Sequence, residues 1–475
     1  MVKSIPTTTQ KSAASNKERA SDAMTAVERR VALSLAAIFA LRMMGLFMIL
    51  PVLSLYAERY QGYTPTLAGL AIGIYGLTQA LFQIPFGMLS DRVGRKPVII
   101  GGLLLFALGS VIAALSDSMT GLIVGRGLQG MGAIAAVVMA LAADLTREEQ
   151  RTKAMAIIGA SIGVAFTIAL ILGPAISHWI GLSGVFAITA VLAIGGILLL
   201  QGLVPKPVIQ RRHREAETLP EQILRVLRDR QLLRLDAGIL ILHLILTASF
   251  VVIPLLLRDH GQLEASKHWL VYLTVLLASV GLMAPVVLIG DKYRLTKPIF
   301  AGAVLTLALS QLGLLTFHTD LWQMVLLMVV FFTGFNILEA NLPALISRLA
   351  PPETKGTALG IYSTSQFLGA FIGGLGGGWL HAHYGAGAVF EACAALALLW
   401  FALALTMRNP QTLSSHLVRL EPISEEEAPG VAAKLLAIPG VAEAVVIAEE
   451  RVAYLKVDRK RLDQQALRAI SAAEA

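Results

Sequence analysis

A chain of 475 residues that is 56% hydrophobic and only 15% charged carries more apolar side chain than a soluble fold of that length can bury, so its apolar runs must face lipid. The formal charge of +8 sits in short loops between those runs, where it reads as membrane orientation and excludes nucleic acid as a partner. A single cysteine, Cys393, itself inside an apolar run, excludes a disulfide framework and a cysteine-based metal site.

A polar stretch over residues 1–30, holding Lys3, Lys11, Lys17, Arg19, Arg29 and Arg30, precedes the first apolar run. That run continues past Leu50, too long for a signal-peptide core, and is expected to stay as a helix. A bilayer core of about 30 Å asks for roughly 20 apolar residues of helix, and helix is obligatory where the backbone has no water to bond. Twelve such spans are expected, at 31–56, 65–89, 97–116, 119–143, 154–176, 182–203, 235–257, 268–289, 297–317, 320–346, 356–380 and 384–407.

Alternate loops hold Arg92, Arg95 and Lys96; Arg147, Arg151 and Lys153; Lys292, Arg294 and Lys297; and Arg348 with Lys355. The basic connector 204–234 belongs with them. This set is read as cytoplasmic, and an even number of spans then puts both termini in the cytoplasm. The expected organisation is a cytoplasmic N-terminal tail (1–30), a six-helix bundle (31–203), a basic cytoplasmic linker (204–234), a second six-helix bundle (235–407) and a cytoplasmic C-terminal domain (408–475).

The two halves look duplicated. Pro85 is followed six residues later by Asp91, and Pro285 six residues later by Asp291; each aspartate then leads into basic residues and a proline, Pro97 or Pro298. Parallel repeats joined by a long central loop are a transporter architecture, with the substrate site between the halves near the midplane. After about Asn409 the composition turns soluble, with strands expected at 418–423, 442–448 and 452–457 and helices near 426–438 and 463–472. That order suggests a small α+β domain of the ferredoxin-like type lacking its last strand.

Ionisable groups inside spans are costly and usually face a cavity or a partner. Arg42 in the first span and Glu339 in the tenth, within Asn336-Ile337-Leu338-Glu339-Ala340-Asn341, are expected to line a central cavity, the alternative being structural polar contacts. A carboxyl in such a place can load and release a proton, which makes Glu339 the leading carrier candidate, with Arg126, Gln129 and Asn336 as further cavity residues. His243 could titrate but is more readily a packing residue. No glycine-rich phosphate loop supports ATP-driven pumping, and no nucleophile, base and orienter cluster supports an enzyme. The expected surroundings are a lipid bilayer, a small-molecule substrate and protons, with no cofactor and no metal, around a monomer.

Gly87-Met88-Leu89-Ser90-Asp91-Arg92-Val93-Gly94-Arg95-Lys96 resembles the signature loop of the major facilitator superfamily, and Arg126-Gly127-Leu128-Gln129-Gly130-Met131-Gly132 resembles its second motif. Gly173-Pro174 is a degraded match to the antiporter motif: Ala169 stands four positions before the proline and Ser177-His178 replace a glycine pair, which weakens antiport as an inference. With the Arg42 to Pro51 run and the soluble tail, the chain is most similar to the drug:proton antiporter group, and within it to the YajR-type transporters. The resemblance implies an all-α membrane protein, a major facilitator fold of two six-helix bundles plus a small C-terminal α+β ferredoxin-like domain, that works by alternating access and expels a small molecule against protons at the inner membrane. It implies that Asp91 accepts from amides at the start of the eleventh span, near Gly356 and Thr357, and that Arg95 pairs with Asp144, latching the halves while the site faces outward. Gly87 and Gly94 then permit close helix approach and a tight turn. It leaves Arg126 between proton coupling and packing. A non-transporting sensor acting through the C-terminal domain is the competing reading.

Overall fold

Among the described residues, ten helical runs are long and apolar enough to cross a membrane, and two of them, each 51 residues, turn a corner at a glycine, which gives twelve membrane-length segments. The corners are Gly181 and Gly385, with φ of +66° and +82°, backbone that only glycine adopts without strain. The computed structural model describes residues 24–205, 219–351, 354–407, 414–421, 424–448, 452–458, 461–464 and 466–467. The expected tail at 1–23, the linker over 206–218, the end of the last helix and the side chain of Asp291 lie outside the described residues.

The first half consists of α1 (Ala26–Phe47), α2 (Leu53–Ala57), α3 (Pro65–Val93), α4 (Arg95–Leu115), α5 (Met119–Met131), α6 (Ala135–Leu145) and α7 (Glu148–Leu203). A linker helix α8 (Leu219–Arg228) leads to the second half: α9 (Arg230–Asp259), α10 (His268–Tyr293), α11 (Thr296–Thr316), α12 (Leu321–Leu349) and α13 (Lys355–Leu405). Caps set several starts. Thr64 precedes Pro65 and accepts from Leu67 N–H, Ser118 caps α5, and Asp229 and Asp320 cap α9 and α12.

Two expected spans are not continuous. The first ends at Phe47, and turns over residues 48–52, around Pro51, separate it from α2. The fourth breaks at residues 132–134, where a Cβ on Gly132 would lie 2.3 Å from the Gly102 carbonyl oxygen. Helix α4 therefore comes too close there for any side chain at 132.

The duplication is visible in the backbone. Gly94 and Arg294, three residues after Asp91 and Asp291, both turn with positive φ, +105° and +58°. Glu58 and Arg258, also 200 residues apart, pair with each other across the halves at 3.1 Å.

Among the described basic loop residues, some charges close helix ends rather than standing free. Lys96 Nζ donates to the Leu200 carbonyl at 3.2 Å and to that of Val204 at the end of α7, while Arg234 donates to the Thr406 carbonyl at the end of α13. Cations at C-terminal carbonyls satisfy unpaired acceptors and the helix dipole together.

The buried apolar side chains fall into two main clusters in the membrane part. One has its buried residues in the first half, at the end of that bundle nearest the basic loops, and includes Val31, Leu35, Val98 and Ile197, with Phe367 of the second half packed against it. The other joins Leu53, Ile72, Phe166 and Val185, at the far end of the first bundle, to the core of the second bundle, including Phe250, Phe332 and Phe335. The bundles thus share one core on the face opposite the basic loops. Glycine contacts tighten that junction: a Cβ on Gly69 would lie 2.1 Å from Gly374 O, and one on Gly378 2.6 Å from Pro65 O. Ser54 Oγ donates across the halves to Phe250 O at 3.4 Å.

The C-terminal domain is β1 (Ser414–Arg419), α14 (Ala428–Leu436), β2 (Val441–Ile447) and β3 (Val452–Val457), with an antiparallel sheet of order β1-β3-β2. The first strand lies four residues earlier than expected. The order is that of a ferredoxin-like fold, with Val418, Leu435, Leu455 and Leu467 in its core. Lys456 of β3 is buried and donates to the Ala350 carbonyl at 3.0 Å, just past the end of α12, with Glu443 3.0 Å away.

Candidate functional site

The polar interior is divided by sign between the bundles. In the first, Arg42 is fully enclosed, donates to Gln79 Oε1 at 2.5 Å, and lies 5.8 Å and 5.6 Å from the ring centres of Tyr75 and Phe106. Ring faces attract a guanidinium, by about 0.5–2 kcal/mol in such geometry. Its Nε and one terminal nitrogen have no hydrogen-bond partner.

Arg126 holds α5 to α3. It donates to the carbonyls of Ala71 (3.1 Å) and Ile72 (3.4 Å) and to Gln129 Oε1 (2.8 Å), and Gln129 donates to Ser110 Oγ at 2.7 Å. Both residues are buried. In this state they tie helices together within one bundle.

The second bundle carries the opposite sign. Glu339 of α12 accepts from Gln366 Nε2 at 3.4 Å, Gln366 Nε2 meets His243 Nε2 at 2.8 Å, and His243 Nε2 is 3.9 Å from Glu339 Oε2. Three helices, α9, α12 and α13, thus converge on one carboxyl. Glu339 is surrounded by protein, yet 35% of its side-chain surface stays solvent-accessible. Its Oε2 has no hydrogen-bond partner. Phe335, one turn before Glu339, lies 5.9 Å from the His243 ring and 5.9 Å from Phe166 of α7, which brings this cluster to the junction of the bundles. Asn336 faces elsewhere and donates to Ser279 Oγ of α10 at 3.1 Å. Arg42 and Glu339, one in each bundle, are not in contact, and Arg42 has no water-accessible surface here.

The signature loop closes on itself. Arg95 pairs with Asp91, donates to Ser90 Oγ at 2.6 Å and meets Asp144 Oδ2 at 3.2 Å. All of these groups belong to the first half, so the Arg95–Asp144 pair cannot by itself hold the halves together. It exists here in a state whose bundles touch on the other face. Gly94 makes the tight turn its position asked for. Gly87 does not mark a close approach, since the nearest atom to a Cβ there is Ala136 Cβ at 4.0 Å. Arg92 and Lys96 flank the turn. Gly173 does mark one: a Cβ would lie 2.3 Å from the Met48 carbonyl, at the turn after α1. Pro174 follows it inside α7 and its carbonyl accepts from Ser177 Oγ at 3.1 Å.

Two residues went unnoticed in the sequence. Asp236 of α9 is buried with neither carboxyl oxygen hydrogen-bonded, and Tyr362 of α13 is buried with its hydroxyl unpaired. Asp236 stands one residue inside its span, beside Arg230 and Arg234, where a carboxylate reads as a surface charge. Among the described residues, no hydrogen bond or ion pair joins the buried cations of the first bundle to the buried carboxyls of the second.

The major facilitator superfamily matches residues 35–261 and again 235–448. The inner membrane transport protein YajR of Escherichia coli (strain K12) is 47% identical over 438 residues, 92% of this chain and 96% of that protein. The multidrug resistance protein MdtH of Aeromonas salmonicida (strain A449) is 27% identical, over 71% of this chain and 84% of its own length. Among solved structures, a D-xylose-proton symporter superposes with a TM-score of 0.64 at 17% identity, covering 80% of this chain and 98% of its own. The human organic anion transporter MFSD10 gives 0.60 at 20% identity, covering 79% and 99%.

Proposed function

The chain belongs to the major facilitator superfamily, and from that premise we propose that it expels a small molecule in exchange for protons, by alternating exposure of the chamber between its bundles. It is a multi-pass membrane transporter; the direction, the proton coupling and the residues that serve them are the reading argued here. The observation that carries it is Glu339: a carboxyl on a water-accessible interior wall, without a cationic partner, touched by Gln366 and beside His243. Such a group gains or loses a proton at the cost of few neighbouring contacts, and each exchange alters the charge that a bound molecule meets.

In this reading the basic face is cytoplasmic, both termini lie there, and the protein is a monomer. The shared core and the Gly69–Gly374 junction then close the outer face. The Asp91–Arg95–Asp144 loop governs closure of the inner side. Arg42 lies behind the chamber wall on Gln79, Arg126 and Gln129 brace the first bundle, Asn336 braces α12 against α10, and Gly173-Pro174 seats α7 against the first helix. The name of the distant MdtH relatives supports efflux; the departures around Pro174 do not add to it. Glu339 supports proton coupling independently of that motif.

The test is flux in proteoliposomes under an imposed pH gradient, screened over a panel of organic cations, anions and neutral compounds, with Glu339→Gln alongside. Gradient-driven transport that the variant loses is the expected result. A variant that transports with unchanged pH dependence would remove Glu339 as carrier. The sensor reading draws on the docking of Lys456 at the end of α12, the helix that holds Glu339, and it predicts no flux for any compound of the panel.

A further inference from the structure

Among the described residues of the second bundle, Asp236 is the buried carboxyl for which the transport cycle above has no use. It is 4% exposed and neither oxygen has a hydrogen-bond partner. An unpaired carboxylate enclosed at the end of a membrane helix is among the most unfavourable placements a side chain can have, and a leucine would fill the space without that penalty.

Helix packing fixes the level of Asp236 along the bundle. Leu240 lies against Gly369, Leu244 against Gly373 and Ala248 against Gly377, with a Cβ on each glycine meeting that partner at 2.1, 2.2 and 2.8 Å. Helices α9 and α13 therefore run side by side in one direction, four residues per step on each. One further step toward the cytoplasmic side brings position 236 level with position 365, between Tyr362 and Gln366. His243 follows Asp236 by seven residues, two turns on along the same face. Tyr362, buried and with an unpaired hydroxyl, stands one turn before Gln366, whose amide donates to Glu339. The other titratable groups on the elements around this stretch are Lys355 on α13, Glu221, Arg225 and Arg228 on α8, Arg348 on α12, and Asp229, Arg230, Arg234 and His243 at the start of α9 and along it. None of them hydrogen-bonds Asp236, and Arg234 is turned to the Thr406 carbonyl.

We propose that Asp236 is a second proton-binding carboxyl, the inner station through which Glu339 exchanges its proton with the cytoplasm, and that the Tyr362 hydroxyl relays between them. This rests on Glu339 as the proton carrier. The Glu339 carboxyl gives its proton to Tyr362 Oη as that hydroxyl gives its own to the Asp236 carboxylate. One proton moves, Tyr362 stays neutral, and Asp236 then releases the proton inward.

Two measurements on the full-length protein in liposomes test this, and neither needs the substrate. Dicyclohexylcarbodiimide adds to protonated carboxyls in apolar surroundings, and peptide mass spectrometry is expected to find adducts on both Glu339 and Asp236 that decline as pH rises. Asp236 unmodified at every pH at which Glu339 is modified would overturn the proposal without any variant having to fold. After a pH jump, the infrared carboxyl band assigned to Glu339 by its loss in Glu339→Gln is expected to disappear roughly tenfold or more slowly in Asp236→Asn, the scale of a lost proton-transfer group. Tyr362→Phe should slow it as well, and Asp236→Glu should restore it. An unchanged rate in Asp236→Asn sinks the relay and leaves Glu339 as carrier. No Glu339 band at any pH sinks the carrier assignment, and the relay with it.

Discussion

Alanine at Gly374 should force open the outer face. Its Cβ would stand 2.6 Å from Gly69 O and 2.8 Å from Gly73 N, whereas ordinary contact begins at 3.4 Å, so α3 and α13 must part by about 0.8 Å. Both obstacles are backbone, so no side chain can rotate away. Overpacking of this kind costs about 1–3 kcal/mol. The cost falls on the state in which the bundles touch there and is absent once they separate, so it moves the balance between states by about 5- to 150-fold. Gly376, two residues along the same helix, has nothing within 4 Å of its Cβ position, and Gly376→Ala is the matched control. Spin labels at exposed Gln61 and Lys267, one in each half, read the separation by pulsed electron resonance in a Cys393→Ala background. The expected result is a longer distance population in Gly374→Ala and an unchanged distribution in Gly376→Ala. Equal behaviour of the two variants would refute the packing argument.

Other consequences concern the loops and the outer pair. Gly94 sits at φ +105° and ψ 151°, where a side chain is strained, so Gly94→Ala should lower the melting temperature by an amount corresponding to about 1–3 kcal/mol. Arg294, left-handed at φ +58° in the second copy, should tolerate Arg294→Gly with no loss or a gain in melting temperature. The Arg258–Glu58 pair has side chains 34% and 43% exposed, so it contributes no more than about 1 kcal/mol. Arg258→Glu should therefore shift the label distances less than Gly374→Ala, the shift should shrink in high salt, and adding Glu58→Arg should reverse it.

The twelve crossings, the duplication and the soluble tail were legible because each rests on a local or periodic quantity. Apolar run length is set by bilayer thickness, and the Asp91 and Asp291 loops recur at a fixed interval. The corner at Gly94 follows from residue type as well, since glycine alone relaxes at that φ. The interruptions after Phe47 and at residues 132–134 were not legible, because they answer to partners remote in sequence, Gly173 and Gly102, whose approach no hydropathy window reports.

Sequence by itself determined that Arg42, Arg126 and Glu339 lie at membrane depth, because lipid solvation makes every ionisable group inside a span conspicuous. Only the tertiary structure decided their surroundings: Arg126 on the carbonyls of Ala71 and Ile72, Arg42 on Gln79 and two rings, Glu339 half-open beside Gln366 and His243. It also enclosed Asp236 and Tyr362 without hydrogen-bond partners. The reason is that a side chain's neighbours across a bundle are set by helix rotation and register, and these come from the glycine contacts between helices rather than from composition along any one of them.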